Sequence, residues 1–127
     1  MKLKTKVYIA APYCLRNGLK SIYTSLKQSH NIQPICSWIF TNDEEMTEED
    51  AIRDLNEIYE CDKLILVSGE GSLGGKHFET GAAYVLGKDI DIIGSKEHIF
   101  HELSKIVKYK NWDEWFHLNV KYKHYVK

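Results

Sequence analysis

Short apolar runs that alternate with helical patterns constrain the fold of this chain more than any other feature. The runs are rich in strand-forming residues and cover positions 7–10, 33–37, 63–67 and 90–93. Strands that are separated by helices run parallel, and their crossover connections are right-handed. The pattern therefore predicts an α/β fold built on a parallel sheet, without internal repeats or a linker.

Helical patterns connect these strands. One covers residues 15–26 and another covers residues 96–107. Between them, Thr47 and Asp50 have the spacing of a capping pair, which predicts that a helix begins near Glu48. Apolar residues recur in that helix at helical spacing, namely Ile52, Leu55 and Ile58.

The end of the chain is aromatic and basic. Trp112, Trp115 and Phe116 fit one face of a last helix, and the sequence KYKHYVK follows. We expect this helix to pack on the sheet and the final residues to fray. A recognition tail is the less favoured interpretation.

Composition limits the class of protein. The chain has 127 residues, of which 43% are hydrophobic and 28% are charged, and its formal net charge is −1. This length fits one domain, residues 1–127, with a core that needs no metal or disulfide. The near-zero charge argues against nucleic-acid binding and favours small-molecule partners. Neither a membrane span nor a signal peptide is evident, so we expect a cytoplasmic protein.

Cysteine and histidine give no sign of metal or redox chemistry. The three cysteines are widely spaced, and the six histidines are dispersed, four of them after residue 97. A zinc site would need ligands that the sequence does not cluster. The prediction is therefore no metal, no cofactor and reduced thiols.

The segment GGKHFETGAAYVLGK, residues 74–88, is the strongest indication of a functional site. It places Glu79 near the start of a short helix among glycine and alanine, so a ligand could approach its carboxylate closely. The structural alternative is strong, because an acid in the first turn of a helix is favoured by the macrodipole and by capping.

Two loops are expected to border a ligand crevice. In open α/β sheets, ligands bind beyond the carboxyl ends of the strands. Ala11, Pro12 and Tyr13 follow the first strand, and the loop SGEGSLGG, residues 68–75, follows the third. This second loop has glycine N–H groups and serine hydroxyls that could hold a phosphate. It is a weak motif, because it lacks the P-loop lysine and because Glu70 would repel a phosphate.

Taken together, these segments resemble the nucleoside 2-deoxyribosyltransferase superfamily, which includes the 2'-deoxynucleoside 5'-phosphate N-hydrolases. The resemblance is carried by KVYIAAPY, RDLNEIYECDKLIL and GGKHFETGAAYVLGK, with support from PICSWI and from GSKEHIF and YKNWDEW, so it covers most of the chain. It implies a single flavodoxin-like domain with four to five strands in the order 2-1-3-4-5 and helices on both faces.

The resemblance also implies residue roles. Glu79 matches the family's nucleophile, which attacks the anomeric carbon, and Asp54 matches an aspartate that assists the leaving base and the sugar. Tyr8 matches a tyrosine of the sugar and carboxylate pocket, and Ser72 and Gly74 resemble phosphate contacts of the monophosphate hydrolases. The remaining substrate-binding predictions, from the neighbouring loops, are Ala11, Pro12, Gly75 and His77. Asp62, at the amino end of its strand, is interpreted as structural.

The sequence departs from the family pattern at three places. Leu73 stands where the nucleoside transferases usually carry an acid that contacts the base, and the nearest acid is Glu70. His98 lies near the place of an asparagine that those enzymes take from a neighbouring subunit. In the loop APYCLRNG, Arg16 is the nearby cation.

Three functions follow from these observations. The favoured one is transfer of a deoxyribosyl group from a 2'-deoxynucleoside to another base through a covalent Glu79 intermediate. The alternatives are hydrolysis of a 2'-deoxynucleoside 5'-monophosphate and a non-catalytic nucleotide sensor. The expected partner is a small nucleoside or nucleotide, and we expect a homodimer or larger homo-oligomer, because family members build sites across subunit contacts.

Overall fold

The computed structural model describes residues 3–41, 47–71 and 74–122. Five strands form one parallel sheet in the order β2-β1-β3-β4-β5. The strands are β1 (Thr5–Ala10), β2 (Ile32–Pro34), β3 (Lys63–Val67), β4 (Asp89–Ile93) and β5 (Val107–Tyr109). The predicted α/β class, parallel sheet and strand order are confirmed.

Four α-helices surround the sheet: α1 (Arg16–Lys27), α2 (Glu48–Glu60), α3 (Gly75–Val85) and α4 (Trp112–Asn119). The winding direction reverses after β2, so right-handed crossovers place α1 on one face and α2 and α3 on the other. In agreement, α2 and α3 contact each other, whereas α1 and α4 border a common groove. The helices thus cover both faces, as predicted.

The core lies on the central strands. Leu64, Ile65 and Leu66 of β3 have no exposed surface, and β1 is fully buried from Val7 to Ala10. Strands that are covered on both faces are apolar throughout rather than alternating. Burial of each large aliphatic side chain contributes about 1.5–3 kcal/mol, which explains why these two strands fix the frame that carries the site.

The start of α2 confirms the predicted capping pair and the predicted helix. Thr47 and Asp50 form a reciprocal capping box, and α2 begins at Glu48. Among the three apolar residues at helical spacing, only Ile58 is buried; Ile52 is 50% exposed and Leu55 is 39% exposed. Of these three, only the residue at the end of the helix nearest β3 joins the core.

The predicted helix over residues 96–107 was wrong. This segment holds a 3-10 turn at Ile99–Glu102 and then the start of β5. Ile99 and Leu103 have helical spacing in the sequence, but both side chains are exposed. The second strand is also shorter than predicted, because it ends at Pro34, and a 3-10 turn follows at Ser37–Phe40.

The last helix packs on the sheet, as predicted. Trp115 is fully buried, and its indole N–H donates a hydrogen bond to Asp91 Oδ2 at 2.8 Å. The same carboxylate oxygen lies 3.0 Å from Lys63 Nζ. Because both interactions satisfy a buried charge, Asp91 anchors α4 without an unpaired carboxylate.

The three cysteines are free thiols; Cys36 and Cys61 are buried and Cys14 is exposed. None of the helices in the described part of the chain has the length and apolar character that crossing a lipid bilayer requires.

Candidate functional site

The loops after β1 and β3 meet at the carboxyl edge of the sheet, as predicted. A Cβ atom placed on Gly69 would lie 3.4 Å from Cγ of Pro12, and one on Gly71 would lie 3.3 Å from Sγ of Cys14. The Cys14 thiol also donates to the Glu70 carbonyl at 3.8 Å. Glycine in the β3 loop thus permits close packing of the two loops, which form the wall of the crevice.

Between β1 and α3, Tyr8 and Glu79 contact each other directly. The Tyr8 hydroxyl donates a hydrogen bond to Glu79 Oε2, with 2.6 Å between the oxygens. Tyr8 lies in the middle of β1 and has no exposed surface, whereas Glu79 on α3 is partly exposed. The tyrosine therefore fixes one carboxylate oxygen while the carboxyl group stays partly accessible.

Burial raises the pKa of the Glu79 carboxyl to about 7. The hydrogen bond from Tyr8 lowers this pKa, and the negative charges of Asp54 and Glu57 raise it. We expected the start of a helix to keep Glu79 ionised, but Glu79 is the fifth residue of α3, beyond the first turn, where the macrodipole acts most strongly. Near neutral pH this carboxyl group is poised between its two protonation states.

Tyr8 stays a neutral donor over the physiological range. Burial raises the pKa of its hydroxyl well above the usual value, and the charges of Glu79 and Asp54 raise it further. A tyrosine that keeps its proton donates a hydrogen bond to the carboxyl oxygen that it faces. That bond is stronger when the carboxyl group is ionised than when it is neutral. The contact therefore stabilises the carboxylate form of Glu79.

Two further acids on α2 complete an acidic group around this pair. The charge of Asp54 acts on both Tyr8 and Glu79, and Arg53 contacts Asp54 Oδ1 at 3.1 Å. Glu57 is held by Ser37, whose N–H and hydroxyl donate to its two oxygens at 3.0 and 2.7 Å. The structure thus brings together the predicted Tyr8, Asp54 and Glu79.

Sequence reasoning missed Glu57. It stands three residues after Asp54, so the two side chains share a side of α2, and this spacing was a usable signal. Its contact with Ser37 could not be read from the sequence, because the 3-10 turn that carries Ser37 was predicted as part of a strand.

Lys76 is a second residue that the sequence did not reveal. It is buried in the first turn of α3, and its ammonium donates to Glu97 Oε1 at 2.7 Å and to the Gly69 carbonyl at 3.0 Å. These contacts tie α3 to the loop after β3 and to the segment after β4. The ion pair thereby holds the loop that borders the crevice.

The other predicted substrate ligands lie around the same edge. Ala11 is partly buried and Pro12 is buried against the β3 loop. Gly74 adopts a left-handed conformation, with φ of 100°, immediately before Gly75 begins α3. Their contacts with a substrate stay predictions.

Two of the loop residues singled out in the sequence, Ser72 and Leu73, lie outside the described residues. The nearby cation, Arg16, stacks on the Tyr13 ring with 4.8 Å to its centroid, and it donates to the Thr41 carbonyl. Asp62 accepts a hydrogen bond from the Lys6 N–H at 2.9 Å at the amino end of β3, which agrees with a structural role.

His77 points into a different environment from Glu79. Residues two apart on a helix point about 200° apart, and the His77 ring lies against His98 and His101, with ring centroids 4.6 and 5.7 Å away. We call His77, His98 and His101 the histidine cluster. These three histidines are dispersed in the sequence, but the fold brings them together. The role of His77 as a substrate ligand stays a prediction.

Comparison with known proteins identifies solved structures of similar fold. No protein-family model and no curated protein matches the sequence. Among solved structures, the CMP N-glycosidase BcmB of Clostridium botulinum superimposes with a TM-score of 0.62 and 20% identity, covering 89% of this chain and 95% of that one. The 2-deoxyribosyltransferase of Leishmania mexicana gives a TM-score of 0.58 and 19% identity, covering 77% of this chain and 69% of that one.

Both solved structures have the nucleoside 2-deoxyribosyltransferase-like fold. The sequence motifs described above resemble those of the same superfamily. The expected five-stranded α/β architecture is therefore confirmed by neighbours as well as by the strand order. At these identities the likeness establishes a shared fold.

Proposed function

We propose that this protein cleaves the N-glycosidic bond of a 2'-deoxynucleoside and transfers the deoxyribosyl group to another base through a covalent Glu79 intermediate. The observation that carries the proposal is the Tyr8–Glu79 contact of 2.6 Å, which joins the middle of β1 to α3. It holds a partly exposed carboxylate in one orientation, which nucleophilic attack requires. The likeness to two enzymes of N-glycosidic bonds supports the same class of reaction.

In the first step, one Glu79 oxygen attacks the anomeric carbon while the bond from that carbon to the base nitrogen breaks. The electron pair of that bond leaves with the base, whose ring nitrogen takes up a proton or a hydrogen bond. Asp54, on the neighbouring helix and within electrostatic reach of Glu79, is the residue that we assign to assist the departing base and the sugar. The product is a deoxyribosyl ester of Glu79.

In the second step, a ring nitrogen of the acceptor base attacks the same carbon and gives up its proton, which balances the proton taken up by the departing base. The ester bond to Glu79 breaks, and the carboxylate is restored. The Tyr8 hydroxyl stabilises the carboxylate that is consumed in the first step and regenerated in the second. Negative charge develops on Glu79 as the ester bond breaks, so this hydrogen bond lowers the barrier of the second step. In the first step it keeps the nucleophile ionised and fixes its orientation.

Hydrolysis is the second candidate, with water as the acceptor. It is favoured by the likeness to the C. botulinum protein, whose solved structure is that of a CMP N-glycosidase and is matched over 95% of its length. A substrate with a 5'-phosphate would place that phosphate near Gly74 and Gly75, where the first N–H groups of α3 begin. A nucleotide sensor without turnover is the third reading.

Intact-protein mass spectrometry tests the proposal. The purified protein is mixed with a panel of deoxynucleosides and their 5'-monophosphates, with and without an acceptor base, and the products are separated by chromatography. We expect an adduct of the sugar, or of the phosphorylated sugar, on the protein. A new nucleoside among the products indicates transfer, and free base with free sugar indicates hydrolysis.

Matched variants make the test specific. Glu79→Gln and Glu79→Ala should lose turnover by several orders of magnitude, whereas Glu60→Gln, an exposed acid at the end of α2, should retain it. Near-normal activity of Glu79→Gln would exclude the covalent mechanism. Substrate binding without adduct or product in the unmodified protein would support the sensor.

We further propose that the protein assembles as a homodimer or larger oligomer. Exposed apolar side chains on α2 and α3, among them Ile52, Tyr59, Phe78 and Val85, support this proposal. Light scattering coupled to gel filtration measures the mass directly, and a monomer at all concentrations would contradict it.

A further inference from the structure

The histidine cluster has the geometry of ligands around one metal ion. One ring nitrogen from each of His77, His98 and His101 lies within 4.8 Å of the others. His77 Nδ1 and His98 Nε2 are 3.2 Å apart. Two nitrogens bound to one tetrahedral zinc ion, each at about 2.0–2.1 Å, are separated by about 3.3 Å. This pair therefore already has the spacing of shared ligands.

The third histidine has a buried nitrogen without a partner. His101 is 1% exposed, and its Nδ1 accepts a hydrogen bond from the Glu97 N–H at 2.9 Å. Its Nε2 has no hydrogen-bond partner within the described part of the chain. A buried polar atom that lacks a partner is uncommon in folded proteins and needs an explanation.

We propose that His77, His98 and His101 form a binding site for one divalent transition-metal ion, best matched by Zn²⁺. The ligand atoms are His77 Nδ1, His98 Nε2 and His101 Nε2. Three imidazole nitrogens suit zinc, whose fourth tetrahedral position is then open to water.

The ring protons can be accounted for without a change in net charge. Ligation through Nε2 places the proton of His98 and of His101 on Nδ1, where the Phe100 and Glu97 N–H groups donate at 3.3 and 2.9 Å. Binding of the ion would therefore break these two hydrogen bonds, and both N–H groups would need new acceptors. Metal binding is thus expected to move the backbone around Glu97.

His77 is arranged differently, because it ligates through Nδ1 and keeps its proton on Nε2. That nitrogen faces Glu97 Oε1 at 3.8 Å, and a carboxylate behind a metal-bound histidine orients the ring.

The site does not include Glu79, Tyr8 or Asp54. It lies on the side of α3 away from Glu79, and it joins the start of α3 to the segment after β4, beside the Lys76–Glu97 ion pair. An ion bound there would brace this edge of the sheet. Its readouts are accordingly metal affinity and stability.

The experiment uses the untagged full chain after removal of metal with a chelator. Co²⁺ is titrated in while visible absorption is recorded, Zn²⁺ is titrated by calorimetry, and the bound metal is quantified by mass spectrometry. We expect one ion per chain, the intense visible bands of tetrahedral Co²⁺, and a higher thermal unfolding midpoint with Zn²⁺. Failure of both ions to bind saturably would overturn the proposal.

Variants localise the site. His98→Gln changes an exposed ligand and should weaken Zn²⁺ binding at least about tenfold, while His117→Gln, an exposed histidine on α4, should bind as the unmodified protein does. Equal affinity of His98→Gln and the unmodified protein would also refute the site. His101→Asn adds a third test where it folds; where it does not, His98→Gln decides.

Discussion

Replacement of Tyr8 by phenylalanine tests whether the tyrosine sets the protonation state of Glu79. The change removes the hydroxyl that donates to Glu79 Oε2 at 2.6 Å and keeps the ring that packs in β1. Since that hydrogen bond lowers the pKa of Glu79, its loss must raise the pKa above the present value of about 7.

The size of the rise follows from the strength of the bond in the two protonation states. A hydrogen bond to a charged group contributes about 1.5–3 kcal/mol, and one between neutral groups contributes about 0.5–1.5 kcal/mol. The difference, about 1–1.5 kcal/mol, corresponds to about one pH unit. The pKa of Glu79 should therefore rise to about 8, and the ionised fraction at pH 7 should fall from about a half to about a tenth.

Two measurements check this prediction. The carboxyl carbon of Glu79, labelled with carbon-13 and assigned by comparison with Glu79→Gln, is titrated by nuclear magnetic resonance in both proteins. With a substrate in hand, the rate deficit of Tyr8→Phe should be about fivefold at pH 7 from ionisation alone and should shrink towards pH 9. A pKa that stays constant or falls, or a rate deficit that is the same at every pH, would refute the reasoning.

Three further predictions concern stability. Burial raises the pKa of Glu79 from its ordinary value of 4.5 to about 7, so the stability that this group contributes at low pH is lost as pH rises from its ordinary pKa through 7. Denaturant unfolding should show that Glu79→Gln gains about 2 kcal/mol relative to the wild type between pH 5 and pH 8. Glu97→Gln leaves the buried Lys76 ammonium without its carboxylate and should cost about 2–3 kcal/mol, whereas Glu102→Gln, from an exposed pair, should cost far less; similar costs would contradict this. Gly94→Ala should destabilise by about 2–4 kcal/mol, since φ is 109° and the new Cβ would overlap the Ser68 hydroxyl oxygen, while Gly18→Ala, inside α1 with open space, should stabilise by about 0.5–1 kcal/mol.

The parts of the fold that the sequence predicted are those whose signal is local. The run at Lys63–Val67 is apolar throughout because both faces of β3 are covered, so its limits could be read directly. The start of α2 could be read in the same way, because Thr47 and Asp50 satisfy each other within one turn.

The missed elements depend on distant partners. The strand β5, Val107–Tyr109, is largely exposed and is defined by its pairing with β4 rather than by its composition. The buried Lys76 likewise depends on Glu97, which lies 21 residues away. Neither a hydrophobic pattern nor a short motif records such contacts.

In the candidate site, too, some features could be predicted from local sequence and others depend on distant partners. The edge at which the two loops meet followed from the rule for parallel sheets, and Glu79 followed from its motif. The raised pKa of Glu79 could not be predicted, because it arises from burial and from Tyr8, Asp54 and Glu57, which the fold brings near. The histidine cluster was missed for the same reason, since His77 and His98 stand 21 residues apart.

The acidic group formed by Asp54, Glu57 and Glu79 is better explained by a functional role than by a role in stability. Asp54 and Glu57 both disfavour the ionised form of Glu79, and burial disfavours it more strongly. A fold selected for stability alone would place a neutral side chain there, since a carboxyl group with a raised pKa costs stability at every pH above its ordinary value. Strongly perturbed carboxyl groups that face a crevice concentrate at functional sites. If Glu79→Gln gains stability at pH 8 and loses turnover, this one variant will show that the carboxyl group lowers stability and is required for activity.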